Sequence, residues 1–260
     1  MEIVHYKVYG DPQLPSLYIA HGVFGMLDNW HFIAQKLSTT FRVVTFDARN
    51  HGKSFHDADA SYDAMSSDLE SLMNHLNDEK AFIIGHSMGG KTVMNFCHSH
   101  PERVRKLMVV DIAPKAYKPS HLKFIQAFKE IPFERLQSRK DADLAFSEYA
   151  ENLAIRQFLL KNIEGRPDGG YQLKINIQAL ENHYYGIIGN ISLERTLETP
   201  VYFIKGGTSH YIQEEDKSHI LNFFPNAHFK TIDHAGHWVH AEQPQTFIDA
   251  VLECFADNHP

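Results

Sequence analysis

Residues 81–90 read Ala81-Phe82-Ile83-Ile84-Gly85-His86-Ser87-Met88-Gly89-Gly90. A short apolar run enters a G-x-S-x-G pattern, and a stretch of small and apolar residues at helical spacing follows to about residue 99. Bare G-x-S-x-G is a weak signal, but a strand before it and a helix after it describe a strained turn. On such a turn no side chain fits two residues before or after the serine, which accounts for glycine at 85 and 89. The hydroxyl of Ser87 is then pushed out over the end of the sheet, and the first amides of the helix point to the same spot. The Met88 amide becomes a candidate donor to an oxyanion. The bland alternative makes Ser87 a helix N-cap between two loop glycines.

Working outward, similar runs recur on both sides. Residues 16–22 (SLYIAHG) and 41–47 (FRVVTFD) read as buried strands, and the N-terminus alternates like a strand until Gly10-Asp11-Pro12. Residues 62–77 place Met65, Leu69, Leu72, Met73 and Leu76 at helical spacing. Residues 106–111 (KLMVVD) form another apolar strand closed by a carboxylate, and 200–207 (PVYFIKGG) and 227–233 (AHFKTID) resume the pattern before a last amphipathic helix, 244–255. Alternating strands and helices predict an α/β fold with a mostly parallel central sheet covered by helices on both faces. In such sheets sites gather beyond the carboxyl ends of the strands.

Between 115 and 196 the alternation stops. Helix-like segments lie around 119–130, 134–139, 141–161 and 173–182, with a turn signal at 165–170 (GRPDGG). The expected division is therefore a core of residues 1–114 and 197–260 and a helical cap, 115–196, inserted after the sixth core strand. Phe124, Phe128, Phe133, Phe146, Phe158 and Leu159 could line the cap above the serine as an apolar acyl tunnel, or bury against the core. Each methylene held in such a tunnel contributes up to about 0.8 kcal/mol.

The chain has 260 residues, 43% hydrophobic and 22% charged. That suits one catalytic core able to bury roughly 70–75% of its unfolded surface without metal or disulfide. With 25 Lys and Arg against 32 Asp and Glu, the net charge of -7 disfavours a nucleic-acid or anionic-membrane scaffold. Cys97 and Cys254 read as buried thiols of a reducing compartment. The N-terminus lacks a signal-peptide pattern and no window approaches a membrane helix, so a cytoplasmic protein, monomeric or homodimeric, is expected. Neither a phosphate-binding G-x-x-x-x-G-K-[ST] nor a G-x-G-x-x-G fingerprint is present.

Eighteen histidines make residue type useless for finding a general base. Position favours His237, on the loop Asp233-His234-Ala235-Gly236-His237-Trp238 after the last strand, over its neighbours His234 and His240. It would take the Ser87 proton and return it to the leaving group, with activity falling as an ordinary imidazole protonates near or below pH 7. The loop after 200–207 (Gly206-Gly207-Thr208-Ser209-His210-Tyr211) lacks a carboxylate. Asp111, closing the apolar run LMVV, is the first choice to orient the histidine, with Asp216 and Asp233 as alternatives. His21-Gly22-Val23-Phe24-Gly25 would bring the second oxyanion donor, the Val23 amide first and Phe24 second, and His21 reads as a supporting side chain.

These stretches together resemble the small bacterial acyl-esterase branch of the α/β-hydrolase superfamily, the branch related to abhydrolase-domain-11 proteins. The resemblance rests on HGVFGMLDNW (21–30), FDARNHGKS (46–54), GHSMGG (85–90), VVDIAP (109–114) and GHWVHAEQP (236–244) and covers nearly the whole chain. It implies Ser87 as nucleophile, His237 as base, and the Met88 and Val23 amides as oxyanion hole, in the chain order nucleophile, acid, histidine. The family's usual acid position departs here at His210, and Asp111 matches the aspartate that replaces it. The implied activity is hydrolysis of short to medium acyl esters or thioesters, acyl-coenzyme A among them, with no cofactor and no metal. Asp47, Arg49, Asn50 and His51 match a loop near the site and read as structural. Carbon–carbon bond hydrolysis, perhydrolysis and a catalytically inactive binding protein remain the alternatives, since fold does not fix substrate.

Overall fold

The computed structural model describes residues 2–256. Its centre is a seven-stranded sheet of order β1-β3-β2-β4-β5-β8-β9. The strands are β1 (Tyr6–Tyr9), β2 (Ser16–Ala20), β3 (Arg42–Phe46), β4 (Ala81–His86), β5 (Val104–Val110), β8 (Val201–Gly206) and β9 (Ala227–Ile232). Only the β1–β3 pair is antiparallel. Every residue of β2 and β4 is buried, as expected where helices cover both faces and successive side chains point to opposite sides. Tyr18 and Ala20 face one core with α2 (Tyr62–His75), α3 (Met88–Ser99) and α9 (Asp216–Phe223), whereas Leu17 and Ile19 face the other with α1 (His31–Leu37) and α11 (Pro244–Phe255).

Between β5 and β8 lie α4 (Leu122–Glu130), α5 (Arg139–Ser147), α6 (Leu153–Leu159), a hairpin of β6 (Ile163–Gly165) and β7 (Tyr171–Leu173), α7 (Ile177–Asn182) and α8 (Tyr184–Ile188); α10 (Val239–Glu242) follows β9. Five sheet strands, not six, precede this insertion among the described residues. The chain turns at Gly10 and passes from β1 directly into β2, leaving no room for a further strand. The helix expected over 141–161 is two. Asn152 accepts from the amides of Ala154 and Ile155, so it starts α6 afresh. Residues 134–139 hold one tight turn at Phe133–Arg135 followed by extended chain, and Ser138 caps α5. The turn at 165–170 joins strands rather than helices: Arg166 N–H donates to Gly170 O at 3.0 Å, and Ile163 pairs with Leu173. Helix over 173–182 is thereby shortened to α7, which Asn176 caps.

The insertion has its own apolar cluster, but that cluster includes Phe24, Met65 and Met88 from the core. Its helices are short and amphipathic, so they bury their apolar stripes against one another and against the end of the sheet.

Candidate active site

β4 and β5 are neighbours with His86 opposite Val110, so the residues that follow, Ser87 and Asp111, leave the sheet side by side. Both take the left-handed backbone region, φ 53° at Ser87 and φ 51° at Asp111, a strain of about 1–3 kcal/mol each that the surrounding structure must hold. The Ser87 amide donates to Val110 O at 3.1 Å. A Cβ at residue 85 would lie 2.3 Å from Gly89 O, and one at 89 would lie 2.4 Å from Ala20 O. Glycine is therefore required at both positions by backbone packed against backbone.

Asp111 is fully buried. Its Oδ1 accepts the Gly206 amide at 3.0 Å; its Oδ2 accepts the Ser209 hydroxyl and faces His237 Nδ1 at 2.8 Å. Of the alternatives, Asp216 is engaged with Lys115 Nζ at 2.5 Å and the Gln213 amide at 2.8 Å, and Asp233 is exposed. Glu242, in α10, holds the histidine loop by accepting from the amides of Gly236 (2.8 Å) and Trp238 (3.1 Å). The His237 ring stacks on Tyr211, with centroids 3.8 Å apart. His86 ties the nucleophile turn to the same loop, because its Nε2–H donates to His237 O at 2.8 Å and the two rings lie 4.7 Å apart. His240 packs flat on Trp30 instead (3.9 Å), and His234 is exposed.

The loop 21–25 passes directly over the serine, since a Cβ on Gly22 would lie 3.1 Å from Ser87 Cβ. Two buried imidazoles shape it. His21 accepts the Ala48 amide at Nε2 (2.9 Å) and so donates from Nδ1 to Gly22 O (2.8 Å). His51 accepts the Phe24 amide at Nε2 (3.3 Å) and donates from Nδ1 to Arg49 O (2.9 Å). Each pattern requires the neutral ring, and burial pushes His21 down to about 4 and His51, also beside His21, down to about 3. Burial with the neighbouring His237 and His240 holds His86 well below its ordinary value too. With the Phe24 amide given to His51 and the Gly25 amide to Gly22 O, the Val23 amide is among the loop amides left without a protein acceptor in the described residues. Met88 opens α3, where the first amides have no intrahelical acceptor.

The 46–54 loop is a lattice of internal bonds. Asp47 accepts from the amides of Leu27 and Lys53, and Arg49 grips Asp68 with two bonds of 2.6 and 2.7 Å. The cap joins this lattice where Asn176 N–H donates to Asn50 O (3.0 Å) and Asn162 Nδ2 donates to Phe24 O (2.8 Å).

A small cavity of about 30 Å³ opens beside Ser87. Its apolar wall includes Tyr62, Ile112, Tyr117, Ile187, Ile188 and Tyr211, and none of the six side chains the sequence suggested. Phe128, Phe133 and Phe146 pack on one another with centroids 5.3–6.4 Å apart, Phe124 and Leu159 join the same cluster, and Phe158 lies against Trp238. Filling the cap's own core consumes them. Among the described residues no three His, Cys, Asp or Glu side chains converge as a metal site, and Cys97 and Cys254 are free and buried.

A serine on a strained strand-to-helix turn, together with a loop histidine that a buried carboxylate holds, matches the pattern of the α/β-hydrolase fold, which fits residues 15–244. The chain belongs to the α/β-hydrolase family. Within that family it is 41% identical over 255 residues, 95% of this chain and 83% of the relative, to sn-1-specific diacylglycerol lipase ABHD11 of Mus musculus. It is 34% identical to esterase YbfF of Escherichia coli K12, covering 92% of each chain. A solved marine microorganism esterase superposes with a TM-score of 0.95 at 41% identity, over 98% of this chain and all of the other. Among the described residues no helix is long and apolar enough to cross a membrane.

Ser209 and Glu242 escaped sequence reasoning. A hydroxyl in a loop that otherwise lacks a carboxylate was the one available signal for Ser209; nothing local distinguished Glu242.

Proposed function

We propose that this protein is a serine esterase that hydrolyses acyl esters through an acyl-enzyme formed on Ser87, with His237 as base and Asp111 as the acid that orients it. The observation that carries the reading is the 2.8 Å contact between His237 Nδ1 and the fully buried Asp111 carboxylate. That contact fixes the Nδ1–H tautomer and leaves Nε2 as acceptor for the serine proton.

Ser87 Oγ attacks the acyl carbon as its proton passes to His237 Nε2, and Asp111 steadies the imidazolium. The carbonyl electrons move onto oxygen, where the Met88 and Val23 amides receive the charge. As the tetrahedral intermediate collapses, the bond to the leaving oxygen or sulfur breaks and His237 returns the proton to it. Water then repeats the sequence on the acyl-enzyme, releasing the acid and restoring Ser87. Both relatives named above carry esterase or lipase in their names, which supports the ester as substrate. Thioesters such as acyl-coenzyme A obey the same chemistry and are the second substrate to assay. Residues 115–196 act as the cap over the site in this reading.

The test is labelling with a serine-directed phosphonate, followed by peptide mapping, with p-nitrophenyl ester turnover in wild type and Ser87→Ala. Label on Ser87 and turnover lost in the variant are expected. A folded protein that labels elsewhere, or hydrolysis that survives Ser87→Ala, refutes the proposal.

A further inference from the structure

Lys91 stands one helical turn beyond Ser87 on α3 and is 1% exposed. No carboxylate pairs with it among the described residues. Its ammonium donates instead to three main-chain carbonyls, those of Lys115 (2.9 Å), Ile187 (3.5 Å) and Gly189, and lies 5.0 Å from the centre of the Tyr117 ring. Lys115 is where the chain enters the cap; Ile187 and Gly189 close α8, near where it returns. The two segments also hold each other, with Tyr117 N–H donating to Ile188 O at 2.8 Å, and Tyr62 of α2 adds a hydroxyl bond to Ile187 O at 2.6 Å.

Tyr62, Lys91, Tyr117, Ile187 and Ile188 all line the cavity beside Ser87. An acyl group on Ser87 that extends into this cavity meets that wall. Bonds from an ammonium are stronger than neutral ones, more so away from water. Burying an unpaired cation is costly, and burial pushes Lys91 down to about 7. A residue kept at that cost, with every donor on the two cap stalks, has one evident mechanical effect.

We propose that Lys91 is a specificity-determining residue: by clasping both stalks of the cap it fixes the far wall of the acyl cavity and limits acyl length. The inference rests on the esterase reading and deepens it. A methionine at 91 fills similar volume but leaves the carbonyls of Lys115, Ile187 and Gly189 to seek water, so the stalks part more readily and longer chains gain room.

The experiment measures kcat/KM for p-nitrophenyl acetate, butyrate, octanoate and laurate in wild type, Lys91→Met and Tyr62→Phe. Wild type should favour the shorter chains. The octanoate-to-acetate ratio should rise at least tenfold in Lys91→Met and by a smaller factor, at least threefold, in Tyr62→Phe. A ratio unchanged within twofold, or equal loss at every chain length, overturns the proposal, since a purely structural lysine would lower all rates together. Should Lys91→Met fail to fold, the same ratio in Lys91→Gln decides by the threefold criterion. Wild-type hydrolysis that is absent, or that survives Ser87→Ala, removes the esterase reading and this proposal with it; Ser87-dependent hydrolysis with unchanged ratios removes only the role of Lys91.

Discussion

Replacing Asp111 by asparagine keeps the shape of the side chain and changes one acceptor into a donor. The Gly206 amide, 3.0 Å from Oδ1, can still be accepted by the amide oxygen. The new NH2 then meets two groups that donate today, the Ser209 hydroxyl and His237 Nδ1. His237 can relieve the clash by moving its proton to Nε2, which removes the acceptor that Ser87 needs. A triad histidine held in the wrong tautomer loses on the order of 10⁴ in kcat, or about 5.4 kcal/mol of transition-state stabilisation at 1.36 kcal/mol per tenfold. The fold loses less, about 1–3 kcal/mol for the mismatched buried hydrogen bonds. Initial rates on p-nitrophenyl acetate, alongside urea unfolding of the same preparation, separate the two. An Asp111→Asn protein that is folded and retains turnover within tenfold of wild type would refute the assignment of the acid.

Acid should unfold the protein through its buried imidazoles. Because His21 and His51 are held at about 4 and about 3, below an ordinary 6.5, their contribution is complete above pH 6.5 and lost as pH falls toward those values. That is on the order of 3 kcal/mol for His21 and 5 kcal/mol for His51. Urea midpoints between pH 8 and 4 should fall steeply, and His51→Gln should flatten the slope; equal slopes would show that His51 does not titrate with unfolding. Gly89→Ala places a methyl 2.4 Å from Ala20 O and should destabilise the fold by about 3 kcal/mol, read as a lower urea midpoint. Arg49→Ala leaves Asp68 buried without its two-bond partner and should cost about 3–5 kcal/mol. Arg49→Lys should recover part of that in the same unfolding assay.

The core was legible because its strands are buried on both faces: β2, β4 and β5 are nearly unbroken apolar runs, and periodicity needs nothing more. The cap was harder. Strands of three residues, as at Ile163–Gly165, carry no measurable alternation, and the break at Asn152 is a capping event inside an otherwise helical stretch. Which phenylalanines would line a cavity was not legible, because a buried phenylalanine looks alike in sequence whether it lines a cavity or packs a core, and Phe128, Phe133 and Phe146 pack on one another. Ser87 declared itself locally, through two glycines that sterics demand. The 2.8 Å pairing of Asp111 with His237 spans 126 positions, beyond any local pattern, and was signalled only by a carboxylate closing an apolar strand, a loop at 206–211 without one, and the family resemblance.

Every bond received by the Asp111 carboxylate comes from the last quarter of the chain, across separations of 95, 98 and 126 residues. Synthesis runs from the other end. While a ribosome is still extending the polypeptide, a finished β4 and β5 would present that charge with nothing to receive it, a burden of several kcal/mol on any early compact state. Maturation of the sheet's centre is thus coupled to arrival of the C-terminal segments, and a nascent chain that holds Asp111 but not Gly206, Ser209 and His237 is poorly packed there.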